Sequence, residues 1–140
     1  PIFWAWFDRD RAPKWGEIDI AELIGRDPNV LRGYVHGTVQ GANPWTYQNG
    51  ARLDMGRPVS AAPHTFEMRS EPGVVEFYVD GRQYGSVARA DIPSTGEWVV
   101  RPGLDFHLIF AMTVGGWAGN PDATTPFPAP MTVSQVSVWR

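Results

Sequence analysis

Thr65-Phe66-Glu67-Met68-Arg69-Ser70-Glu71-Pro72-Gly73-Val74-Val75-Glu76-Phe77-Tyr78-Val79-Asp80-Gly81-Arg82 is the stretch that decides the fold class. From Thr65 to Ser70 the residues alternate, with Phe66 and Met68 on one face and Thr65, Glu67 and Arg69 on the other. A period of two marks a half-buried strand. Glu71-Pro72-Gly73 turns the chain, and Val74 to Val79 alternates again with Val75, Phe77 and Val79 inward. Asp80-Gly81 is a hairpin signal, because a tight primed turn needs positive φ. Arg82 to Ala88 is the return strand.

Outward from this meander the pattern stays short and extended. No window of 11 or more residues holds a helical period, and Gly or Pro interrupts nearly all of them. Phe106 to Val114 is apolar on both parities and is predicted to be a strand covered on both faces, ended by Gly115-Gly116. Pro121 to Pro130 is a surface loop, and Thr132 to Trp139 a closing strand. Trp4, Trp98 and Trp139 are expected in the core. Short strands at regular spacing, with turn chemistry between them, mean an all-β sandwich or barrel. There is no repeat and no linker, so 1–140 is read as a single domain.

Composition narrows the function. The 140 residues carry 12 Lys and Arg against 15 Asp and Glu, a formal charge of −3. With no basic run, the chain offers a poor footprint for nucleic acid or an anionic membrane. No apolar stretch approaches the roughly 18 residues of a membrane span. Cysteine is absent, which removes disulfides, thiolate zinc sites and thiol catalysis together. Fifteen Gly and 13 Pro accompany seven Trp. Many turns with many large rings fit a β domain with aromatic loops rather than a disordered chain.

The chemistry lies in Gly16-Glu17-Ile18-Asp19-Ile20-Ala21-Glu22-Leu23-Ile24-Gly25. On a helix, Glu17 and Glu22 would stand far apart around the axis. On a strand, Glu17 and Asp19 share one face while Ile18 and Ile20 fill the other. Glu22 has the wrong parity, and a β-bulge near Ile20 or Ala21 would return it to the face of Glu17. Two carboxyls about 5–5.5 Å apart suit a retaining glycosidase, and a third between them raises the pKa of the proton carrier. The competing readings are an edge strand with its acids in water and a calcium site. The latter lacks the loop carbonyls and the Gly-centred turn of a calcium loop.

These residues resemble the active-site signature of glycoside hydrolase family 16, in the bulged form of its laminarinase-like, endo-β-1,3-glucanase branch. The regular form has one residue fewer. The resemblance extends over nearly the whole chain: Trp4 and Trp15 around the signature, and His36-Gly37-Thr38-Val39-Gln40-Gly41 after it. The His64–Gly81 hairpin, Val114-Gly115-Gly116-Trp117-Ala118-Gly119-Asn120-Pro121-Asp122, and Phe127-Pro128 with the strand to Trp139 complete it. It implies a concanavalin-like jelly roll, with Glu17 as nucleophile, Asp19 as assisting carboxylate and Glu22 as general acid/base. It also implies a secreted monomer acting on polysaccharide. Such sandwiches run to 200–250 residues, so the chain, opening at Pro1 in an aromatic run, is read as the C-terminal half to two-thirds of a domain. Its N-terminal strands are then missing, and Phe3, Phe66, Phe77 and Phe110 would be under-covered. The isolated chain is accordingly expected to be partly molten and inactive.

Gln40, Ser70 and Ser134 depart from the family pattern, where a His, a Trp and a calcium-binding Asp are usual. No cofactor and no metal site are expected, and the structural calcium of the family is not expected here. Trp15, Trp45 and Trp117 are candidate substrate contacts, since flat rings with polar rims stack on sugars, and so are His36 and Gln40, which lie just past the signature. His64 and His107 are read as structural. The function expected is endo-hydrolysis of a β-linked polysaccharide, β-1,3-glucan first, with agarose, carrageenan or mixed-linkage glucan as alternatives. The other class is a jelly roll that binds polysaccharide without cleaving it.

Overall fold

The computed structural model describes residues 1–7, 16–39, 45–102 and 105–139, with the side chains of Phe7 and Trp45 outside that description. Its strands are β1 (Ile2–Phe7), β2 (Gly16–Ile24), β3 (Asp27–Val39), β4 (Trp45–Asp54), β5 (Phe66–Glu71), β6 (Val74–Val79), β7 (Arg82–Ala88) and β8 (Phe106–Ala111). They build a five-stranded sheet in the order β4-β3-β2-β1-β8 and a three-stranded sheet in the order β5-β6-β7. Every pairing is antiparallel.

The small sheet follows the alternation of its sequence. Phe66 pairs with Val79 and Glu71 with Val74, one residue beyond the predicted start of β5. Asp80 and Gly81 both take positive φ, 51° and 77°, as a primed turn demands. Asp80 secures the turn from outside: its Oδ1 accepts the Thr65 N–H at 2.9 Å and its Oδ2 lies 2.7 Å from His64 Nδ1. The Thr65 amide first, then His64, holds this carboxyl below its ordinary range. His64 thus has the structural place expected of it.

Val75, Phe77 and Val87 turn inward and meet Ala5, Ile18, Ile20 and Val35 of the large sheet, while Val79 meets Ala21 and Leu31. Each large apolar side chain removed from water contributes about 1.5–3 kcal/mol. Phe77, expected to be under-covered, is fully buried, and Phe3 stacks on Phe110 with ring centroids 4.4 Å apart. The sheets can come this close because Gly33 lies under Phe77 and Tyr84. A Cβ there would stand 2.7 Å from the Phe77 ring and 2.6 Å from the Tyr84 hydroxyl.

Four expectations fail. Residues 106–111 form a strand, but it is the edge of the large sheet, with Leu108 exposed, rather than a strand covered on both faces. Apolar residues on both parities do not by themselves supply a second layer, and the described residues place none over it. Residues 132–139 make no ladder with any described strand, so the closing strand is absent and its valines point to water. Trp139 follows them out of the core and is 79% exposed. Trp98 does pack against the core, whereas Trp4 lies at its edge in the wall of a cleft.

Candidate active site

Strand β2 lies between β1 and β3, and its register with both changes within the acidic stretch. Asp19 faces Tyr34 and Glu22 faces Arg32, three steps on β2 against two on β3. Trp4 faces Asp19 and Phe3 faces Ala21, so one extra residue lies opposite β1 as well. This is the bulge that the parity of Glu22 requires. Ile20 and Ala21 are buried in succession, at 3% and 4% exposure, which a regular strand with one core face does not allow. Glu17, Asp19 and Glu22 consequently line the same cleft, of about 610 Å³.

The register surrounds each acid with a different row of neighbours. Glu17 stands between Trp6 and His36, Asp19 between Trp4 and Tyr34, and Glu22 between Ile2 and Arg32. Strand β4 extends the rows with Gln48, Gly50 and Arg52. Gly50 leaves the space that the Tyr34 ring fills; a Cβ there would meet it at 2.4 Å. The Arg52 Nε–H donates to the Tyr34 hydroxyl at 3.0 Å. Trp4, Tyr34, His36, Gln48, Arg52 and Trp117 join the acids in lining the cleft.

Asp19 is the most enclosed acid, 3% exposed. Its Oδ2 lies 2.8 Å from His36 Nε2, while its Oδ1 is buried and accepts from no N–H. Burial first, then the hydrogen-bond contact with Asp19 and the charges of Asp19 and Glu22, pushes Glu17 up to about 8. A contact between two carboxyls is favourable only with a proton between them, so the pair resists full ionisation. Burial, and after it the charge of Asp19, also raises Glu22, while Arg32, His36 and the amino group of Pro1 pull it down. The group can therefore hold a proton ready for donation and ionise a neighbour beside it.

Of the candidate sugar contacts, His36 and Trp117 are in the cleft. Trp117 is 60% exposed at the rim, with the Arg26 guanidinium 5.6 Å from its ring centroid. Trp15, Gln40 and the side chain of Trp45 lie outside the described residues. His107 is exposed on β8, in the cross-strand row of Trp6 and Glu17 but not among the residues that line the cleft. Among the described residues, no three His, Asp or Glu side chains are grouped as a metal site.

Besides Tyr34, Gln48 and Arg52 in the cleft wall, two more residues at the site had no signal in the sequence. Arg32 is buried beside Glu22. Tyr84, on the opposite sheet, donates its hydroxyl to the Ile20 carbonyl at 3.3 Å. A bulge leaves backbone groups outside the ladder, and this bond occupies one of them. Tyr84→Phe should cost about 0.5–1.5 kcal/mol, read as a lower urea midpoint with an unchanged m value. An unchanged midpoint would show that the tie carries no weight.

Two facing antiparallel sheets, with three acids on one bulged strand of the larger, define the jelly-roll class. Residues 2–137 match the family described as Glycosyl hydrolases family 16, and the chain belongs to that family. It is 29% identical to a beta-glucanase of Rhodothermus marinus over 155 aligned positions, covering all of this chain and 51% of that protein. Among solved structures it is similar to the endo-beta-1,3-glucanase of Pyrococcus furiosus, at 34% identity and a TM-score of 0.70 over 91% of this chain and 50% of that one. It is also similar to the laminarinase catalytic domain of Thermotoga maritima, at 26% identity and a TM-score of 0.63 over 91% and 52%. The chain thus spans about half the length of these relatives.

Proposed function

We propose that this chain carries the catalytic strand of a retaining endo-β-glycanase whose substrate is a β-1,3-glucan. The observation that carries the reading is the bulge at Ile20 and Ala21, which turns Glu17, Asp19 and Glu22 into one open cleft. The names of its relatives, beta-glucanase, endo-beta-1,3-glucanase and laminarinase, support the linkage. Secretion and action on an external polymer belong to the same reading.

In the first step Glu22 gives its proton to the glycosidic oxygen as that oxygen leaves C1, while a Glu17 carboxylate oxygen bonds to C1. Glu17 must be ionised to attack, so the proton held at its contact with Asp19 has to leave before the first step. In the second step Glu22, now a carboxylate, takes a proton from water. The water oxygen bonds to C1, the ester to Glu17 breaks, and the β configuration is restored. His36 orients Asp19 throughout from its position at 2.8 Å.

The test is digestion of laminarin, mixed-linkage glucan, agarose and carrageenan by the intact protein, with NMR of the first-formed anomer. Mid-length oligosaccharides from laminarin, released as the β anomer, are expected. An α anomer would overturn retention, cleavage of another glycan alone would overturn the linkage, and binding without cleavage would favour the binding module.

A further inference from the structure

Arg32 is 1% exposed, and no step of the double displacement uses it. Its partner across the sheet on one side is Glu22 and on the other Arg52. The guanidinium is tied back into its own strand: Nη2 lies 2.5 Å from Asp27 Oδ2, and Nη1 donates to the Val30 carbonyl at 3.1 Å. These bonds span an irregular stretch, where β3 advances from Asp27 to Arg32 while β2 advances only from Ile24 to Glu22. The charge is incompletely matched. Asp27 is 43% exposed, and Arg32 Nε is buried with no partner. A cation enclosed in this way acts on its neighbours through less water than a surface arginine does.

We propose that Arg32 is a positioning residue for Glu22: it fixes the strand opposite this carboxyl and supports the negative charge that develops when the proton leaves. The proposal rests on the acid/base role given to Glu22 above. The other charged groups facing Glu22 are Glu17 and Asp19 on its own strand, His36 on β3 and the amino group of Pro1, with Arg52 one strand further away. Burial and Asp19 hold Glu22 high against Arg32, so removing Arg32 should raise it further. A clamp that serves only the backbone would change stability and leave the titration of Glu22 where it was.

The experiment is a carbon-detected NMR titration of the Glu22 carboxyl in the full chain, beside the pH profile of kcat/KM on laminarin. Arg32→Met should raise the Glu22 midpoint and the basic limb by about one pH unit, and Arg32→Lys should restore most of that shift. Asp27→Asn should move both the other way, because the guanidinium loses its counter-charge; it also tests the proposal if Arg32→Met does not fold. An unmoved midpoint in folded Arg32→Met, or one that does not fall in Asp27→Asn, overturns the proposal. Shifted midpoints in a protein that cleaves no glycan would instead sink the catalytic reading of Glu22, leaving the hold of Arg32 on it intact.

Discussion

Glu17→Gln in the intact protein should lower turnover of laminarin by at least about 10³-fold, since one positioned group supplies about 10²–10⁴-fold and a lost nucleophile costs more, with the circular dichroism spectrum unchanged. The amide fills the carboxylate's place but cannot form the ester to C1. Glu17→Ala opens that place, and azide entering there should give a glycosyl azide of α configuration. Glu22→Ala still forms the ester from a substrate with a good leaving group, and azide entering from the other face should give the β azide. The opposite anomers assign the two roles independently. Asp19→Asn should be milder, because an amide still bonds to both neighbours while the charge is lost. Normal turnover in either glutamate variant would end the assignment.

Stability should fall as pH rises from about 4.5 to 8. Glu17 is raised from its ordinary value to about 8 in the folded chain, and Glu22 is raised as well. In that window the two glutamates make the folded state bind more protons than the unfolded one, which outweighs the opposite slope of the buried Pro1 amino group, and ∂ΔG/∂pH is negative. The native advantage is complete below the unfolded pKa and lost by the time pH has passed the folded one. Glu17→Gln removes the larger part of this slope. At pH 8 it should be the more stable protein, by about 1–2 kcal/mol once the partial solvation of the site is allowed for. At pH 4 the two should melt alike. Melting curves from pH 4 to 9 check this, and parallel curves for the two proteins would refute a raised Glu17.

The parts legible in the sequence are those fixed by neighbours along the chain. The 66–88 meander follows from alternation and from the positive φ that Asp80-Gly81 accepts. The bulge follows from the parity of Glu22 against Glu17 and Asp19. What depends on distant partners was hidden. Strand β1 is apolar or aromatic on both faces, so nothing in its pattern tells that Ala5 goes to the core and Trp4 to the cleft. Residues 132–139 set Val133, Val136 and Val138 among polar neighbours like a surface strand, yet such a stretch forms none without a neighbour to bond. Arg32 meets Glu22 only through cross-strand register, and Tyr84 reaches Ile20 only through sheet packing. Neither contact leaves a periodic trace.

The bulge also separates two demands that a regular strand would join. Ile20 and Ala21 are both interior, so the extra residue is absorbed by the core and the catalytic face does not register it. Loss of Ala21 would leave an acid at every second position, with all three on the same side, at the cost of one buried methyl group. A one-residue deletion here is a frame-preserving change for the chemistry, whereas at Ile18 it would turn Glu17 away from Asp19. The bulged and regular spacings of the signature are therefore one deletion apart, and the methyl that the deletion removes is the one packed between Leu31 and Val79.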